Sequence, residues 1–168
     1  MKLILFSVVS VALFLFGCNR PINNGTTWGP GSFDSNGERI YFTATSERGT
    51  PITYTGGPIQ GMMMTGGNLA CVSCHGTDAR GGRHVMHMET MDAPDIRWAA
   101  ISSGHDHGGE AHSDSEQEHL ETYTFENFRN AVENGKHPDG DALSKDMPRW
   151  KMSEADARDL MDYLKSLK

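Results

Sequence analysis

The sequence has no apolar run long enough to cross a bilayer. Its longest, Leu3 to Phe16, covers 14 uncharged residues and is interrupted only by Ser7 and Ser10. A transmembrane helix needs roughly 20. Positive charge is in the minority: 15 Lys and Arg stand against 22 Asp and Glu, for a formal net charge of -7. Binding nucleic acid in general requires a basic footprint, so that class of function is excluded. Cysteine is scarce and odd in number, three in 168 residues. No βαβ alternation and no internal repeat is visible. Glycine, by contrast, is abundant, with 19 residues against a usual share of roughly 7%. Methionine is also plentiful, at ten. The length and this composition describe one loop-rich domain.

The N-terminus reads as an export signal. Lys2 supplies the positive start, Leu3 to Phe16 the apolar stretch, and Leu15-Phe16-Gly17-Cys18 resembles a bacterial lipobox. Cleavage would make residues 1–17 a signal peptide and leave Cys18 lipidated, which predicts an exported protein held on a bacterial membrane, facing the periplasm or the cell exterior. Each buried methylene of such an anchor adds about 0.8 kcal/mol of membrane affinity. The odd cysteine count is then explained, because only Cys71 and Cys74 remain. Loss of residues 1–17 would remove one base, Lys2, and no acid, taking the formal charge from -7 to -8. An acidic surface suits partners with basic docking sites.

Residues 18–35 read as a flexible tether, and 36–168 as the folded domain. A short helix is predicted near Asn36 to Thr45, with Ile40, Tyr41 and Ala44 on its apolar side. The glycines of 46–70 predict turns and irregular backbone, and so does the stretch from Gly76 to about Tyr123. Within the latter, residues 102–120 form an acidic, His-rich loop with too few apolar residues to join a core. Thr124 caps a helix carrying Phe125, Phe128, Ala131 and Val132, which Asn134-Gly135 terminates. Ser153 caps the last helix, with Glu154 and Asp156 in its first turn and Ala157, Leu160, Met161, Leu164 and Leu167 at helical spacing.

The most informative motif is Cys71-Val72-Ser73-Cys74-His75. C-x-x-C-H is the pattern of covalent haem attachment. Thiols three positions apart can add to the two vinyl groups of one haem, and the adjacent His is then placed as an axial ligand to iron. Three other chemistries use paired cysteines: a plain disulfide, a thioredoxin-like redox pair and a zinc site. The redox pair lacks its βαβ context, and zinc would have to recruit loop histidines. Export, the immediate His and the absence of further cysteines favour haem.

Together with Gly76, Gly81-Gly82 and the terminal Met147-Pro148-Arg149-Trp150 before the last helix, the motif resembles class I monohaem cytochromes c of bacterial lipoprotein type. The likeness covers roughly residues 36–45, 70–98 and 124–168. It implies an all-α, cytochrome c-like helical domain around one haem c, with the last helix crossing the first. It further implies that Met147 is the distal ligand opposite His75. In that family the first helix runs almost directly into the haem motif. Here Tyr41 and Cys71 are 30 positions apart, so 46–70 and 102–120 read as two long loop insertions.

The expected function is electron transfer between periplasmic or membrane redox partners, with iron cycling between Fe(III) and Fe(II) and no catalytic residue. The alternatives are a haem enzyme or ligand sensor with an open distal site, and metal handling by His105, His107, His112 and His119. Met62, Met63, Met64, Met86, Met88, Met91, His84, His87 and His137 are rivals to Met147. Trp98, Trp150, Tyr163 and Phe128 are candidates for packing near the porphyrin. Arg83, Arg97 and Arg149 are candidates for pairing with haem propionates.

Overall fold

Three capped amphipathic segments form the helical frame. The computed structural model describes residues 31–58, 69–86, 89–103 and 123–168. Helix α1 (Asn36–Thr43) starts where Ser35 Oγ accepts the Glu38 N–H at 3.1 Å. It ends at Ala44, which adopts a left-handed conformation with φ 52°. After β1 (Thr53–Thr55) come the one-turn α2 (Val72–His75), the strands β2 (Gly82–Met86) and β3 (Glu89–Ala93), and the one-turn α3 (Trp98–Ile101). Helix α4 (Phe125–Asn134) begins with Thr124 Oγ1 accepting the Asn127 N–H and ends at Gly135. Strand β4 (Arg149–Lys151) precedes α5 (Glu154–Ser166), which Ser153 caps through the Asp156 N–H.

The last helix crosses the first, as the resemblance implied. Gly37 makes the close approach possible: a Cβ there would overlap the Asp159 carbonyl oxygen and come within 2.8 Å of Tyr163 Cβ. The Tyr41 and Tyr163 rings meet at 5.3 Å between centroids. Beneath them Ile40, Tyr41, Leu69, Phe128, Val132, Trp150, Leu160, Met161 and Leu164 form one core. Its apolar burial is the main favourable contribution to folding.

A polar hub locks the same helix pair. Asp156 is fully buried on α5. Its carboxylate accepts from Asn36 Nδ2 at 3.0 Å, Ser46 Oγ at 2.6 Å, Ser153 Oγ at 2.6 Å, Arg48 Nη1 at 3.1 Å, and Thr50 Oγ1. Burial alone would raise its pKa. The hydrogen bonds from Ser153, Ser46, Thr50 and Asn36 outweigh that and bring it down to about 2.

The all-α expectation is corrected: the fold is mostly helical with a few short strands. β1 pairs antiparallel with β4, placing Tyr54 opposite Trp150 with ring centroids 4.8 Å apart. β2 and β3 form an antiparallel pair with Gly82 opposite Ala93 and His84 opposite Met91. β1, β2 and β3 lie where irregular backbone was expected. The expected leader, Cys18, most of the expected tether, Met62 to Met64, His87, Met88 and nearly all of the His-rich stretch lie outside the described residues. No helix among the described residues is long and apolar enough to cross a membrane.

Candidate haem site

Cys71, Cys74 and His75 sit on one turn of helix. The Cys74 and His75 N–H groups both donate to the Cys71 carbonyl, at 3.2 and 3.0 Å. Buried Leu69 and Ala70 tie the chain to the core just before Cys71. From the other side, the fully buried Tyr41 donates its hydroxyl to the Gly76 carbonyl at 2.6 Å, so α1 holds the end of the motif directly.

The thiols are unpaired, which leaves the disulfide reading without support. Burial pushes the Cys71 thiol up to about 12. Burial, followed by the nearby charge of Asp146, raises the Cys74 thiol as well. A thioredoxin-like pair depends on a lowered thiol pKa, and these thiols are shifted the opposite way. Among the described residues no group of three His, Cys, Asp or Glu is placed to hold a metal ion, so the zinc reading has no ligand set there.

His75 is 7% exposed. Burial holds its pKa below the ordinary imidazole value, against the opposing contact with Pro94. A neutral ring is the form that ligates metal. Its Nδ1 lies 3.0 Å from the Pro94 carbonyl oxygen. A carbonyl can only accept, so Nδ1 carries the proton and the lone pair is left on Nε2. A backbone acceptor of this kind fixes the tautomer and orientation typical of a metal-ligating imidazole. Pro94 therefore acts through its backbone, a role that sequence reasoning missed and that only the X-Pro-Asp stretch after the glycines could have suggested.

Met147 is half-buried in the bend before β4, between Asp146 and buried Pro148. The Met147 N–H donates to the Ser144 carbonyl at 3.2 Å, and its own carbonyl accepts from Arg149 Nη1 at 2.7 Å.

Of the other candidates, Trp150, Phe128 and half-buried Tyr163 belong to the core or pack against it. Trp98 lies under the Lys165 ammonium, 4.5 Å from the ring centroid. Arg97 pairs with Asp95 at 2.5 Å and donates to the Lys168 carbonyl. Arg83 is exposed on β2. His84, on the same strand, has a buried Nε2 with no hydrogen-bond partner. Such an atom is costly to bury.

The donor set fits a haem: two free thiols one turn apart, followed by a buried imidazole whose Nδ1 is bonded to a backbone carbonyl, which leaves Nε2 for a metal. No curated protein and no solved structure matches the chain. The family model for cytochrome c matches residues 64–168, a span that holds the Cys71–His75 motif, the β2–β3 pair, Met147 and the two terminal helices. The chain belongs to the cytochrome c family, whose domain binds a covalent haem c and serves electron transfer.

Proposed function

We propose that the protein is a class I monohaem electron carrier, exported and held on a bacterial membrane through lipid on Cys18. The observation that carries the site assignment is His75: neutral, buried and oriented by Pro94 beside two unpaired thiols. Bound there, haem c supplies a one-electron Fe(III)/Fe(II) couple. Cys71 and Cys74 would hold the ring through thioether bonds, and His75 Nε2 and the Met147 sulfur would be the protein ligands to its iron. The helix crossing and the Asp156 hub keep these groups in one geometry through both redox states, which limits reorganisation. The excess of acidic residues favours redox partners with basic docking surfaces.

Absorption spectra of the purified holoprotein test this reading. The oxidised form is expected to show the weak far-red charge-transfer band of Met-ligated haem, and carbon monoxide should barely change the reduced spectrum. Met147→Leu should abolish the band and open the site to carbon monoxide. A full carbon monoxide shift in the unaltered protein would instead point to an open-site enzyme or sensor. Replacing Cys18 with Ser should release the protein from the membrane fraction; retention there would refute the lipid anchor.

A further inference from the structure

We propose that Arg149 is the positioning residue that keeps Met147 on the iron, its guanidinium clamping the backbone of the ligand loop. This rests on the reading of Met147 as distal ligand. Sequence alone made Arg149 a candidate for a haem propionate. The structure gives its guanidinium other partners. Nη1 donates to the Met147 carbonyl at 2.7 Å, and Nη2 donates to the carbonyls of Leu143 and Ser144 at 3.0 and 3.1 Å. One planar fork therefore gathers three carbonyls of a single loop, a task for which lysine, with one nitrogen, is poorly shaped.

Both ends of the clamp are anchored. The Arg149 backbone is the first residue of β4, opposite Thr55 of β1, and the next residue, Trp150, is 5% exposed in the core. The guanidinium lies against Gly135, the left-handed cap of α4 with φ 65°. A Cβ at that position would overlap Arg149 Nε and Cζ. Glycine thus serves the turn and leaves room for the side chain. The loop is closed a second time where the Leu143 N–H donates to the Gly135 carbonyl at 2.9 Å. Arg149 consequently ties the Met147 bend to the end of α4 and to the small sheet together.

The functional consequence follows from the chemistry of the ligand. A thioether is neutral and soft, so its retention on iron depends strongly on how well its loop is held. Groups that orient a metal ligand typically change affinity by about 10–100-fold when removed. Without the clamp, the 143–147 segment keeps its sequence and loses its fixed approach, and the distal position becomes open to external ligands.

The test uses four holoproteins: unaltered, Arg149→Gln, Arg149→Lys and Met147→Leu. Each is followed by the far-red band, by the rate of carbon monoxide uptake when reduced, and by helix content during urea titration. Arg149→Gln is expected to take up carbon monoxide roughly 10–100-fold faster than the unaltered protein and to lose its band at lower urea than its helices. Arg149→Lys should fall between the two, and it carries the test if the Gln variant does not fold. Loss of band and helices together would mean general destabilisation and would overturn the proposal. So would a Gln or Lys variant that takes up carbon monoxide at the unaltered rate. A band that survives in Met147→Leu would overturn the ligand assignment itself, a result separate from any outcome at Arg149.

Discussion

Replacing Asp156 with Ala should cost more stability than any surface change, and the cost should depend on pH. The carboxylate is fully buried and receives hydrogen bonds from Asn36, Ser46, Thr50, Arg48 and Ser153. Removing one partner of such a buried network typically costs about 3–5 kcal/mol. Part of that is tied to ionisation. The pKa falls from the ordinary aspartate value of 3.8 to about 2 in the folded chain, a difference worth about 2 kcal/mol when the group is fully charged. Because the folded value is depressed, this part is complete above the unfolded value and is lost as pH falls through the folded one. Urea denaturation of the holoprotein and Asp156→Ala, read by helix circular dichroism at neutral pH and at about pH 3, should show their difference narrowing by about 1 kcal/mol. A difference that stays constant with pH would refute the claim that the buried carboxylate is ionised and held by these donors. A neutral-pH cost below about 1 kcal/mol would refute the hub itself.

Two further substitutions probe the frame and the site. Gly37→Ala should destabilise the protein by about 1–3 kcal/mol by forcing α1 away from α5, despite the higher helix propensity of Ala; an unchanged urea midpoint would mean that the helices do not cross this closely. His84→Phe should leave the far-red band intact and, by removing a buried nitrogen without a partner, leave stability of the apoprotein unchanged or higher. Disappearance of the band in that variant would refute this and make His84 necessary for keeping the Met ligand in place.

The legible parts of the chain were those with local signals. Thr124 and Ser153 read as caps, and the apolar residues of all three main helices repeat at helical spacing, so α1, α4 and α5 were readable within a residue or two. The strands were not. β1 and β4 have three residues each, and the register of Tyr54 with Trp150 links positions far apart in the chain. β2 carries Val85 exposed at 70%, so no buried alternation marks it. At the site, Cys71, Cys74 and His75 follow from a contiguous motif. The Pro94 carbonyl and the carbonyls gathered by Arg149 carry no side-chain signature, and backbone acceptors are invisible in a sequence. Asp156 illustrates the same limit: in sequence it is one of two acids suited to a helix N-terminus, and only the fold reveals Asn36, Ser46 and Thr50 converging on it.

The central claim is covalent haem at one short motif. Proteolysis of the purified holoprotein and mass measurement of the peptide spanning residues 71–75 test it most directly. The account predicts one haem added to that peptide through both Cys71 and Cys74, with Cys71→Ala and Cys74→Ala each leaving one attachment at most. An unmodified peptide with free or disulfide-linked thiols, from protein isolated out of cells able to mature c-type haem, would contradict it.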